Sequence, residues 1–226
     1  MLKTADDGAS IAGYNLGAAA LALPVLNELQ NTGGHDDFYT LEMSASKRAT
    51  GRWPMSGSFS YRWNMDNAAS YFGNSLRALQ DVATPNDLIN TDGGRYNFTT
   101  WAFKINGSYE AKYGIRITPS IRNQGGQPYG RTISAAAANG INYGTARILV
   151  EPITTRRQDM ITVVDVRVEK SFKLAGRTAL SAFVDGYNLA NSNAATNINW
   201  SSGATFLTPS TIIGPRLARF GVKFDF

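Results

Sequence analysis

Pro215-Arg-Leu-Ala-Arg-Phe-Gly-Val-Lys-Phe-Asp-Phe226 is the stretch whose reading decides the fold class. At every second residue, one face reads Ala218, Phe220, Val222, Phe224, Phe226 and the other Leu217, Arg219, Gly221, Lys223, Asp225. That is the period of a β-strand, whose successive side chains point to opposite faces. Phenylalanine on one side and alternating charge on the other suit a strand with lipid on one face and a wet lumen on the other. From these residues alone, an edge strand of a soluble sandwich reads as well. Recurrence elsewhere in the chain separates the two.

The alternation returns along the chain from Phe38. Tyr39, Leu41, Met43 and Ala45 alternate with Thr40, Glu42, Ser44 and Ser46. Trp53, Met55, Gly57, Phe59, Tyr61 and Trp63 are set against Ser56, Ser58, Ser60, Arg62 and Asn64. Trp101, Phe103, Ile105, Gly107 and Tyr109 oppose Thr100, Lys104, Asn106, Ser108 and Glu110, and Ile115, Ile117, Pro119 and Ile121 oppose Arg116, Thr118, Ser120 and Arg122. Thr162, Val164, Val166 and Val168 then face away from Val163, Asp165, Arg167 and Glu169. Leu180, Ala182, Val184 and Gly186 face away from Ser181, Phe183, Asp185 and Tyr187. Each run has about ten residues, the span of a tilted membrane strand. Pro119 is the local blemish, since proline removes a ladder donor, and it is expected to mark a bulge.

Connection lengths add a second pattern. Thr50–Arg52, Lys112–Gly114 and Ala175–Arg177 are short turns, whereas residues 66–97, 123–159 and 188–214 are long. Outer-membrane barrels sort their connections in this way, with short periplasmic turns and long extracellular loops. The expected fold is therefore an all-β antiparallel transmembrane β-barrel with a periplasmic C-terminus, in which residues 38–226 supply about seven strands. Residues 1–37 are expected to be an extracellular segment, with turns at Thr4–Gly8 and Asn31–Asp37 and a short helix within Leu16–Gln30 broken by Pro24. Closed bacterial barrels have even strand numbers of eight or more. Either a strand hides in residues 1–37 or the chain is the C-terminal part of a larger barrel, and the lack of an export signal before Pro24 favours the second.

Composition narrows the function classes. In 226 residues there are 22 Gly, 11% aromatics and only 17% charged residues, against roughly 25% charged in ordinary globular chains. The net charge of +5 is spread along strands and turns, with no basic run to suggest nucleic acid. No apolar run approaches a transmembrane helix. With no Cys and the single histidine His35 in a Gly/Asp-rich loop, the usual zinc sites are not expected. The Asp6-Asp7-Gly8 cluster lacks the alternating ligands of a calcium loop and reads as a turn. No nucleophile elbow or phosphate loop occurs. Asp165, Glu169 and Asp185 could pair as catalytic carboxylates, but Arg167, Arg116 and Lys223 on the same face suggest a ladder of compensating charges. No enzyme activity and no cofactor are expected.

Several segments together resemble TonB-dependent outer-membrane receptors. They are Phe38-Tyr-Thr-Leu-Glu-Met-Ser-Ala-Ser-Lys-Arg48 with Gly51-Arg-Trp53, Gly126-Gln-Pro-Tyr-Gly-Arg131, Asp165-Val-Arg-Val-Glu-Lys170, Asp185-Gly-Tyr-Asn-Leu-Ala-Asn191 and the terminal strand. The resemblance spans residues 38–226 and is closest to the large type with an N-terminal carboxypeptidase-regulatory-like domain. It implies a 22-stranded barrel around an N-terminal plug, nutrient uptake energised through TonB, and a terminal strand read by the barrel-assembly machinery at Phe220, Val222, Phe224 and Phe226. The plug and most of the barrel have no counterpart in this sequence, so contact with TonB would run only through the missing plug.

The site expectations follow. Glu42, Arg62, Lys104, Glu110, Arg116, Arg122, Asp165, Arg167, Glu169, Asp185, Arg219 and Lys223 face the lumen. Trp53, Tyr61, Trp63, Trp101 and Tyr109 serve as interfacial anchors rather than a sugar-stacking platform. Ligand contacts are expected to come from the loops, Tyr129, Arg131, Tyr143, Arg156 and Arg157 among them, while the substrate-binding residues and the substrate itself stay open. Expected partners are outer-membrane lipid, the assembly machinery and the remainder of the barrel. The rival readings are a self-contained passive porin or structural barrel, and a secreted all-β adhesion module.

Overall fold

The computed structural model describes residues 2–3, 8, 10–24, 37–48, 51–67, 84–92, 95–174 and 178–226. Seven strands form one antiparallel sheet: β1 (Asp37–Lys47), β2 (Met55–Asn67), β3 (Arg95–Gly107), β4 (Ile115–Gln124), β5 (Ile161–Lys173), β6 (Ala179–Tyr187) and β7 (Leu217–Asp225). Each pairs with its sequence neighbours in a meander, and β1 and β7 are the two edges, unpaired with each other among the described residues. The sheet is open. A two-residue piece, Tyr109–Glu110, continues β3 and pairs with Ile117 and Arg116 of β4.

Register carries the sequence alternation across the whole sheet. Tyr39, Trp63 and Thr99 are aligned, as are Leu41, Tyr61 and Trp101, and Met43, Phe59 and Phe103. On the other half, Ile117, Val168, Val184 and Phe220 form one row, and Phe172, Leu180 and Phe224 another. The opposite side carries rows such as Ser44, Ser58, Lys104 and Arg122, and Thr118, Arg167, Asp185 and Arg219. Because side-chain direction has period two, a one-residue slip in any strand would break both faces at once.

Among the described residues no second layer covers the apolar face. Tyr39, Met43, Phe220 and Val222 are more than half exposed, and Leu41, Trp63, Phe103, Val168 and Val184 are exposed too. The charged side chains on this face, Asp37, Lys47 and Lys170, stand at its two ends among the described residues. Lys170 bends back to donate to the Tyr113 carbonyl and lies 5.5 Å from the Phe172 ring, keeping its charge at the border of the apolar band.

The buried apolar residues lie mostly elsewhere. Ile133, Ala135, Ile141, Ala146 and Ile148 form one cluster and Tyr96, Leu149 and Ile153 a second. All but Tyr96 belong to the long connection between β4 and β5. This connection makes its own hairpin, Thr132–Ala135 with Ala146–Leu149, and a shorter ladder of Pro128–Tyr129 with Arg156–Arg157. The long connections gather at one end of the sheet. Thr132 exchanges backbone hydrogen bonds with Trp200 and Ser202, and the 3-10 turn Pro85–Leu88 packs beside Ala146–Leu149.

One reading changes. Pro119 marks no bulge: the β3–β4 register is the same on both sides of it, with Asn106 opposite Ser120 and Tyr109 opposite Ile117. Proline is accommodated because the ladder is interrupted there, and Ser108 donates instead to the Pro54 carbonyl. The N-terminal segment contains a two-residue ladder of Leu2–Lys3 with Ser10–Ile11, and among the described residues its helix is a single turn, Ala18–Leu21, ending before Pro24. The turns at residues 4–7 and 175–177, the loop with His35, and residues 25–36 lie outside the described residues.

The turn between Tyr109–Glu110 and β4 depends on left-handed backbone at Tyr113 (φ 63°) and Gly114 (φ 72°). A Cβ on Gly114 would lie 2.9 Å from the Ser171 carbonyl oxygen. Gly114→Ala should therefore cost about 1–3 kcal/mol, read as a lower urea midpoint at unchanged m-value, whereas Tyr113→Gly should be neutral or stabilising.

Candidate functional site

Two places concentrate chemistry-bearing side chains: the polar face of the sheet and the loop assembly at its end. On the polar face the centre is Asp185, whose side chain is 5% exposed. Register places it between Arg167 of β5 and Arg219 of β7. Arg167 donates from Nε at 2.6 Å and from Nη2 at 3.0 Å, one bond to each carboxylate oxygen. Arg219 donates from Nε at 2.9 Å and Nη2 at 2.6 Å, and the Tyr187 hydroxyl adds a bond at 3.2 Å. Fork-shaped guanidinium contacts of this kind are strong and directional, and here they clamp three adjacent strands. The Arg167 guanidinium lies 4.3 Å from the Phe183 ring centroid. Gly221 leaves the space for that ring, since a Cβ there would sit 2.3 Å from the Phe183 Cζ.

The remaining charges of this face are paired more loosely. Glu110 and Arg116 bond at 2.8 Å, Arg116 faces Glu169 in register, and Lys223 meets Asp225 at 2.7 Å. Lys104 and Arg122 stand directly opposite one another, an unfavourable arrangement for like charges; Arg122 also reaches Asp165 at 3.8 Å. Glu42 faces Ser60, and Arg62 stands between Thr40 and Thr100. All twelve charged residues expected to face the lumen thus share one side of the sheet. Asp185 accepts hydrogen bonds from Arg167, Arg219 and Tyr187, so its carboxylate is engaged in the clamp. Among the described residues no three His, Cys, Asp or Glu side chains are grouped to hold a metal.

The Asp185–Asn191 motif continues from the clamp into the strand exit. Asn188 is buried and has φ 48°. Its amide donates to the Ser192 carbonyl (2.9 Å) and the Gly214 carbonyl (2.8 Å), while its oxygen accepts from the Ser192 amide. Its own amide donates to Asp165 at 2.8 Å. Asparagine tolerates this backbone region and bonds locally. Asp165 and Asn188 thereby join β5, the end of β6 and the approach to β7.

In the loop assembly, the residues expected to meet a substrate make internal contacts. Tyr129 is buried and stacks on Trp200 at 6.0 Å, and burial raises its phenol above the usual pKa. Arg156 donates from Nε to Glu151 at 2.6 Å, a bond that raises its pKa further, and the Arg131 backbone amide donates to the same Glu151 oxygen. Both guanidinium groups lie about the Phe206 ring, at 6.0 Å and 5.7 Å. Arg157 donates to the Gly126 and Thr99 carbonyls, and Tyr143 takes a hydrogen bond from Asn86. The glycines of Gly126–Arg131 are needed for packing: a Cβ on Gly126 would sit 1.8 Å from the Gln158 carbonyl oxygen, and one on Gly130 2.5 Å from that of Glu151.

The aromatic residues expected to be anchors fall at two levels of the apolar face. Tyr61 and Trp63 pack edge to face at 4.6 Å, with Trp101 beside Tyr61, towards the long connections. Trp53, with Lys47 Nζ 3.6 Å from its ring, and Tyr109 stand at the short-turn end. Phe220, Val222 and Phe224 stand on the apolar face of β7, and Phe226 follows at 98% exposure. Sequence reading missed Asn15, Asn86, Asn142, Glu151, Trp200 and Phe206. Asparagines in Gly-rich connections look like turn formers, and apart from the Glu151–Arg156 pair the partners of these residues are far away in the chain. No protein-family model, curated protein or solved structure matches this chain.

Two outcomes are expected. Asp185→Leu should lower the urea midpoint more than the triple variant R167M/D185L/R219M, which should recover more than about half of the loss because it leaves no unpaired charge. Gly126→Ala should pry the Arg156–Arg157 ladder from Pro128–Tyr129 and speed tryptic cleavage after Arg156 and Arg157 on the order of tenfold.

Proposed function

We propose that this chain is part of the wall of an outer-membrane β-barrel, a nutrient receptor of the TonB-dependent type, with the long connections outside the cell and the C-terminus in the periplasm. One observation carries the reading: an apolar face continuous over seven strands with no layer on it among the described residues, backed by a face of polar and charged side chains. In water each large apolar side chain left uncovered forgoes about 1.5–3 kcal/mol, and apolar patches of this extent mark a surface meant for contact. A bilayer meets the requirement along the whole face, because it is apolar in the middle and accepts Trp, Tyr and Lys at its borders. Strands of nine to thirteen residues match the length of tilted spanning strands, about 9–11 residues.

The unpaired edges, β1 and β7, are where the remainder of the barrel adds its strands, since backbone donors and acceptors facing hydrocarbon must be paired. Phe220, Val222, Phe224 and Phe226 form the stretch offered to the assembly machinery. The assignment to TonB-dependent receptors rests on the motif resemblance, with energy reaching the barrel only through a plug outside this sequence.

The test is depth-resolved labelling of the protein in outer-membrane vesicles. A lipid-phase photoprobe should mark Phe103, Val166 and Phe224 and spare Lys104, Arg167 and Lys223, with a heat-dependent shift on gels. Recovery as a detergent-free soluble protein would instead support a secreted module. A complete reading frame coding for eight or more strands and no plug would support a passive barrel.

A further inference from the structure

Most acids of the polar face are answered by a cation beside them: Asp185 by Arg167 and Arg219, Glu110 by Arg116, Asp225 by Lys223. Lys104 of β3 and Arg122 of β4 break that pattern. Among the described residues they are the only charges of like sign placed directly opposite each other in a strand pair. Side chains so placed have Cβ atoms about 4.5–5.5 Å apart, and like charges there repel. Arg122 has Asp165 at 3.8 Å, but that carboxylate already accepts the Asn188 amide at 2.8 Å. Lys104 is exposed and forms no ion pair among the described residues. Glu42 is aligned with Ser60 and Ala102, and its strand lies two away from that of Lys104.

Small hydrogen-bonding side chains surround this pair. Its row continues into Ser58 and Ser44, and the next row on the same face is Ser46, Ser56, Asn106 and Ser120. Ser120 donates to the Asn106 carboxamide oxygen at 2.8 Å, so the oxygen is engaged and the amide N–H groups remain to donate. Asn106 also lines a cavity of about 300 Å³, together with Ser46, Ser56, Ser108 and Arg48. An ammonium, a guanidinium fork, hydroxyls and an amide are the donors that carboxylates and phosphates take. An anion between the two cations would turn their repulsion into attraction to a shared partner, which nothing described within the chain does for Lys104.

We infer that Lys104 and Arg122 form a binding site for the oxyanion, phosphate or carboxylate, of a small hydroxylated solute. Ser58 and Asn106 supply neutral donors, and the cavity beyond Asn106 has room for the uncharged part of the ligand. The site lies on the polar face alone, so it stands whether or not a bilayer covers the other.

The test follows the urea midpoint of the full chain in uncharged detergent, with glycerol 2-phosphate or glycerate replacing chloride at constant ionic strength. A ligand that binds the folded state raises the midpoint in proportion to the logarithm of its concentration above Kd. The wild type should respond saturably in binding, and the probe with the lower Kd names the headgroup. Lys104→Met should do two opposite things. In chloride it should raise the midpoint, because the repulsion is gone, and it should weaken probe binding about tenfold or more, the loss expected for a hydrogen bond to a charged group. Lys104→Arg should keep the response. No response of the wild type to either probe, an equal response in Lys104→Met (general salt stabilisation), or a lower midpoint of Lys104→Met in chloride would overturn the proposal.

Discussion

An uncovered apolar face is the constraint to which the rest of the molecule answers. In a protein surrounded by water, a sheet this broad is covered by helices or a second sheet, because each layer is apolar on the side it must bury. Here the sheet rows of Phe, Val, Ile and Tyr stand uncovered among the described residues, and most of the buried aliphatic residues belong to the connections. The usual burial of apolar side chains is exchanged between sheet and loops. That exchange explains why so few side chains on the strands are buried: β-strands of this kind are held by their ladders and cross-strand rows rather than by a packed core.

With little core to rely on, the polar face must fasten the strands laterally. Asp185 does so across β5, β6 and β7, and Asp165 with Asn188 ties the strand exit to the approach of the last strand. These are costly groups to bury, and a carboxylate at 5% side-chain exposure is tolerable only because guanidinium forks satisfy its oxygens. Replacing them by hydrocarbon would give a sheet greasy on both sides, with nothing to hold water on one. The clamp serves both the cohesion of the sheet and the contrast between its faces.

The loops solve a different problem. Long connections rich in Gly, Ala and Asn have little apolar surface, so they pool it: Ile133, Ile141 and Ile148 come from one connection, Ile89 packs against them from another, and Ile11 from the segment before β1. Side-chain amides supply the remaining cross-links, as Asn86 does with Tyr14. The aromatic and arginine residues that look available for a ligand are the loop assembly's own fasteners. Arg131 and Arg156 share Phe206 and Glu151, and Tyr129 stacks on Trp200.

Strand positions, faces and the sorting of short from long connections were legible in the residues, because a two-residue alternation is local and each strand carries its own copy. Pro119 was legible as an irregularity but not in kind, since an interrupted ladder and a bulge differ only in the partner strand. The charged rows could be listed from sequence, yet singling out Asp185 required register, which brings Arg167 and Arg219 to it from different strands. The loop contacts were illegible: Asn86 meets Tyr14 across 72 residues and Asn142 meets Leu16 across 126, and no periodicity records pairs so distant. By itself the sequence determined which side of each ribbon is greasy, a property of the pleat. The tertiary structure alone decided which charges meet and what the loops enclose, because those depend on chain segments brought together only by folding.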